Sequence, residues 1–119
     1  MNRGIANSLF FFLMMFSCDD VLEKDISKKE VFLKTPAPDY STDQPDQLFW
    51  WDYLEGATAY EVLIVTPDMD NPTALLLDSV VTENKLRFTL SAGEFQWCVR
   101  GTNNGYKTAY TCRKLFIVN

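Results

Sequence analysis

Three cysteines, a scatter of carboxylates and a set of aromatic rings are the side chains with chemistry to offer in this 119-residue chain. Histidine is absent. With it goes the side chain that most often acts as general base near neutral pH and most often binds zinc, so histidine-dependent hydrolysis is excluded. Asp52 and Glu55 flank Tyr53. Paired carboxyls cleave glycosides only where a cleft holds both at a defined separation, and the short connections of this sequence leave little room for one. Asp68, Asp70 and Asn71 offer oxygen atoms within one short turn. That falls short of the roughly six to eight ligands calcium takes, and turn formation accounts for all three residues. No catalytic residue, metal site or cofactor is expected.

Charge narrows the partners. Sixteen acidic against eleven basic side chains give a formal net charge of -5, which opposes binding to a phosphate backbone through a basic patch, so nucleic acid is not an expected partner. The length allows one domain of ordinary size, and 47% hydrophobic with 23% charged residues is a globular composition.

The elements that must position these residues read as strands. From residue 30 onward, short apolar runs alternate with turn residues at regular intervals, the pattern of an all-β sandwich. Seven strands are expected, at 30–35, 47–52, 59–66, 74–79, 85–90, 94–102 and 109–118. Pro36, Pro38 and Pro67 end two of them, since proline cannot donate to a ladder. The stretch PDMDNP at 67–72 and NNGYK at 103–107 carry turn chemistry. Period-2 alternation then assigns faces: Phe95, Trp97 and Val99 inward, Tyr60, Val62 and Ile64 inward, Phe49 and Trp51 inward, with Trp50 outward.

Two binding surfaces follow from what is left outside. Trp50, Tyr53, Tyr106 and Tyr110 are candidate exposed rings on which a sugar can stack, although ordinary edge packing also accounts for them. Leu63 and Val65 form an outward apolar row beside Cys98, and contiguous apolar patches mark protein interfaces. Cys98 and Cys112 lie symmetrically about position 105, so a hairpin centred there sets them opposite one another, where non-hydrogen-bonded neighbours can meet disulfide geometry. A one-residue bulge in the turn would instead leave two free thiols.

The start of the chain has a different character. Arg3 is the only charge before Asp19, and Leu9–Phe16 is an apolar run well short of the roughly 20 residues that cross a bilayer core. A positive start, a short apolar stretch and a small residue before a cut point describe a secretory signal. A buried N-terminal element, or an ordinary signal cut elsewhere, are the competing readings. Ser17-Cys18 resembles the lipobox of bacterial lipoproteins, in which the cysteine is lipidated and becomes the first residue. The resemblance implies a signal peptide over 1–17 and a covalent lipid on Cys18; the polar, aperiodic stretch that follows reads as an acidic tether over 18–29. As a flexible chain that tether spans on the order of 20 Å. Asp19-Asp20 and the following EKD are similar to the acid-rich segment of surface lipoproteins of glycan-foraging Gram-negative bacteria.

The run FWWDYLEGATAYEVLIV through LRFTLSAGEFQWCVRGTNNGYKTAY resembles a fibronectin type III-like, immunoglobulin-like domain. It has a core tryptophan on its second strand, a tyrosine opening the third after Gly-Ala-x-x-Tyr, a Leu-x-x-Gly-x-aromatic corner at Leu90 to Phe95, and an Asn-x-Gly turn after an alternating aromatic strand. The resemblance implies a sandwich over 30–119 and an outer-membrane address, with no catalytic motif to carry over. A lipid-anchored module that docks to an outer-membrane protein complex is the first functional expectation. Glycan binding in a polysaccharide-uptake system is the second.

Overall fold

Alternation is the organising rule of the folded chain. A computed structural model describes residues 23–119, and these form β1 (Leu33–Thr35), β2 (Tyr40–Thr42), β3 (Asp46–Trp51), β4 (Ala59–Thr66), β5 (Ala74–Val81), β6 (Lys85–Thr89), β7 (Gly93–Thr102) and β8 (Thr111–Ile117). They build a three-stranded sheet ordered β1-β3-β6 and a five-stranded sheet ordered β2-β8-β7-β4-β5. Residues of alternate parity turn inward from both sheets. Phe49, Trp51, Tyr60, Val62, Ile64, Trp97, Val99 and Leu115 are fully or almost fully buried between them. Edge-on contacts of Phe49 with Trp97 and of Trp51 with Tyr60, at ring-centroid distances of 5.0 and 5.6 Å, join the two layers.

Among the described residues the strand count is eight, not the seven expected. The additional strand, β2, is three residues long, largely exposed, and pairs in parallel with β8 through Tyr40↔Leu115 to Thr42↔Ile117. Its segment shows no apolar alternation, and its partner lies far along the chain, so local pattern could not reveal it. The chain reaches β2 by leaving the three-stranded sheet after β1 and crossing to the other layer over Pro36–Asp39. Arg113 of β8 holds that crossing. Its guanidinium donates to the carbonyls of Leu33 at 2.7 Å, Lys34 at 3.1 Å and Pro36 at 2.8 Å, bonding the two sheets at their shared edge.

Residues 24–29, expected to belong to a flexible tether, are instead packed on the sandwich. Ile26 is fully buried, and the segment around it is fastened to the end of the sandwich where the β3–β4 and β7–β8 connections meet. Asn103 Nδ2 donates to the carbonyls of Lys24 and Gly56, at 2.8 and 2.9 Å. Lys24 Nζ pairs with Glu55 at 2.8 Å and Lys29 Nζ reaches the Glu55 carbonyl at 3.2 Å. Gly56, at φ 95°, makes room for the segment, since a Cβ there would stand 2.8 Å from Ile26 Cγ2. A lone isoleucine in a polar run gives no period to read, and its pocket exists only after the strands have folded. Residues 1–22, including the expected signal peptide and Cys18, lie outside the described residues.

Candidate functional site

Val62 and Ile64 point into the core from β4, so Glu61, Leu63 and Val65 point out from the same strand. On the neighbouring strands Arg100 and Asp78 fall on that outward face, opposite Glu61 and Leu63 respectively. Together with the 67–73 turn and Tyr110 they line a shallow hollow of about 630 Å³ on the outside of the five-stranded sheet. Leu63 and Val65 form its floor. Val65 was expected in an open row, yet it is only 4% exposed. A register shift between Ile64 and Val65 occurs beside it, and Met69 and Pro72 rise at that end as a wall.

The other end of the hollow is polar and preorganised. Arg100 Nη2 lies 2.6 Å from Glu61 Oε1, Lys107 Nζ lies 3.0 Å from Glu61 Oε2, and the Tyr110 hydroxyl donates to Glu61 at 3.4 Å. The Arg100 guanidinium covers the Tyr110 ring at 4.4 Å. Burial pushes the Glu61 carboxyl up, but hydrogen bonds from Lys107 and Arg100 and their charges outweigh it and hold the group below the usual glutamate range. Burial raises the Tyr110 phenol. Both groups are therefore fixed in the charge state of neutral pH, acid as anion and phenol as neutral donor, which suits recognition and not proton transfer.

The remaining sugar-stacking candidates lie outside the hollow. Trp50 projects from the opposite sheet, where Lys34 Nζ sits 5.5 Å from its ring and 5.9 Å from that of Phe32. Tyr53, 67% exposed, stands after β3 against Tyr60 at 6.5 Å, and Tyr106 lies in the β7–β8 loop. Tyr110 alone reaches the hollow, with one face taken by Arg100. Asp52 pairs with Lys34 at 3.7 Å and Glu55 with Lys24, so each carboxylate flanking Tyr53 has its own lysine. Asp68 accepts from the backbone N–H groups of Asp70 and Asn71, at 3.1 and 2.9 Å, and so builds its turn.

Cys98 and Cys112 are directly opposed in the β7–β8 ladder and joined as a disulfide, with Cα atoms 4.1 Å apart. The loop does contain a one-residue irregularity. Thr102 pairs with Lys107, one residue out of the register that links Val99 to Thr111. The offset is absorbed over residues 108–110, where Thr108 donates its N–H to the Gly101 carbonyl at 3.0 Å and accepts from Gly101 N–H at 3.1 Å, before the cysteines are reached.

Sequence pattern singled out Leu63, Val65 and Tyr110 here and missed Glu61, Asp78, Lys107, Met69 and Pro72. Alternation already turned Arg100 outward, but its pairing with Glu61 needed the β4–β7 register.

This arrangement of sheets has a solved counterpart. A chain described as "Structure of FN3tt mut" superposes with a TM-score of 0.50 at 12% sequence identity, covering 74% of this chain and 90% of that one. The fold is thus fibronectin type III-like. No protein-family model and no curated protein sequence matches the chain.

Proposed function

We propose that this protein is a lipoprotein, held on the outer membrane by acyl chains on Cys18, whose single sandwich is a non-catalytic docking module for a protein partner. The observation that carries the docking part is the outward face of the five-stranded sheet. An apolar floor, a preformed ionic end and the exposed side chains of β5, with Leu75 at 56% and Val80 at 65%, are continuous there. The anchoring part rests on SLFFFLMMFSCDD, since more than one acyl chain at about 0.8 kcal/mol per buried methylene makes a stable anchor without a spanning helix. Among the described residues no helix is long and apolar enough to cross a membrane.

The docked segment around Ile26 adds a geometric consequence. Five residues separate Cys18 from Lys24, with a maximum reach of about 18 Å, so the end of the sandwich bearing Gly56 and Asn103 would stand next to the bilayer. The sheet faces would then stand upright, open to a neighbouring membrane protein. Glycan binding has less support. Of its four candidate aromatics, Tyr110 lines the hollow while Trp50 stands on the other sheet, and the rings of both are accompanied by a cation.

Two measurements test this reading. Cys18→Ser should abolish acyl labelling and release the protein from membranes, and an unchanged membrane fraction would sink the anchor. A photoreactive side chain at Leu75 of the intact lipoprotein should give a covalent adduct with one membrane protein, while the same group at Trp50 should not. Adducts from Trp50 alone, competed away by oligosaccharide, would replace docking with glycan binding.

A further inference from the structure

We propose that β5 takes its partner by strand addition, accepting an extended segment that sets a lysine or arginine opposite Asp78 and apolar side chains two residues to either side. This rests on the docking reading and specifies its mode.

The two sheets have four edges, and three are blunted. β1 and β2 are three residues each, and β6, five residues long, exposes Lys85 and Arg87. Short edge strands and edge cations are how sheets discourage pairing with other chains. β5 is eight residues long, ALLLDSVV, with no cation and one carboxylate. It hydrogen-bonds to β4 on one side only, so the N–H and C=O groups on its far side meet no strand among the described residues. The register with β4 shifts near Leu76 and then runs unbroken from Leu77 to Val81. Leu77, Ser79 and Val81 turn toward the core, leaving Asp78 and Val80 on the outer face beside the hollow. An added strand would therefore gain main-chain hydrogen bonds and apolar contacts on one face together, which is how strand addition combines affinity with side-chain specificity.

Asp78 identifies the occupant. It makes no ion pair among the described residues, whereas Glu61, two positions from its partner Leu63, has two cations of its own. A second copy of this chain is a poor fit. Asp78 lies near the middle of β5, so a two-fold pairing along most of the strand brings two Asp78 carboxylates opposite or diagonal to each other, and like charges so placed destabilise a sheet. The net charge of -5 on each copy adds to that repulsion. A heterologous strand with a central cation removes the conflict and satisfies the lone carboxylate.

The test uses the ¹⁵N-labelled full chain in detergent micelles, with blocked TVTKTVT and TVTETVT peptides as probes; their side-chain order reads the same in both directions. The lysine peptide should shift the amide signals of Ala74–Val81 saturably, and bind more tightly than the glutamate peptide. Asp78→Lys should invert that order, changing each affinity by about threefold to tenfold. Equal affinities in both proteins, shifts confined to other strands, or no shift at millimolar peptide would each overturn the proposal. So would concentration-dependent shifts of β5 without peptide, which would make a second copy the occupant. If the peptides fail while the Leu75 crosslink persists, docking stands and strand addition falls. If the peptides bind but Cys18→Ser leaves the membrane fraction unchanged, the edge stands and the anchor falls.

Discussion

Tyr60 shows how one hydroxyl can set a loop. Its ring is buried between the sheets, and its oxygen accepts the Leu54 N–H at 2.8 Å, tying down the β3–β4 connection. Tyr60→Phe keeps the ring and leaves that N–H without its acceptor, so chemical denaturation should report a loss of about 1–2 kcal/mol. Glu61 links the outward face to pH. Its folded carboxyl lies below the ordinary range, so its contribution to stability is complete above the ordinary glutamate value and is lost as pH falls through the folded one. Thermal melts from pH 7 to pH 3 should therefore fall less steeply at the acidic end for Glu61→Gln than for the parent. Parallel curves would remove Glu61 from the acid response. The side chains of Glu61 and Arg100 are 19% and 27% exposed, so part of this attraction survives screening by salt.

Segments and strands depend on residues far from them in the chain. The piece around Ile26 is kept in place by Gly56 and Asn103, neither of which belongs to it. Gly56→Ala should collide with Ile26, and Asn103→Ala should remove two hydrogen bonds to the Lys24 and Gly56 carbonyls. In either variant, hydrogen exchange should quicken at Lys24–Lys29 while β4 and β7 keep their protection. Loss of protection throughout the domain would mean that the segment is integral to the fold instead of docked on it. Arg113 has a comparable role for β1. Replacing it by alanine leaves three carbonyls without a charged donor and should cost about 2–3 kcal/mol, measured by denaturant unfolding. Strand alternation had placed the inner faces of β3, β4 and β7 correctly because a half-buried strand must repeat every two residues. It could not reveal β2 or the Ile26 pocket, because neither has a periodic signal and both are completed by distant residues.

For the whole molecule, the disulfide is the covalent contribution to stability. Cys98 and Cys112 are 14 residues apart, and closing such a loop constrains the unfolded chain by about 3 kcal/mol. Reduction, or paired Cys98→Ser and Cys112→Ser, should lower unfolding stability by about that amount while leaving the spectroscopic signature of the folded state unchanged. A structure that persists without loss would mean that strain offsets the entropic gain. The bond lies on the outer face of the sheet, so its removal should not empty the aromatic core.

Sequence alone determined the class of fold and the inward faces of β3, β4 and β7, because turn residues and period-2 alternation are local properties carried by each strand. It set Cys98 and Cys112 symmetrically about position 105, but the loop pairs one residue out of that register, so their opposition was decided by the offset absorbed over residues 108–110. Only tertiary structure decided which surfaces remain available. The burial of Val65, the pairing of Glu61 with Arg100 and Lys107, the docking of Ile26 and the position of β5 at a sheet edge among the described residues all depend on which strands become neighbours. That choice is made by contacts between distant parts of the chain, and no local window of residues contains it.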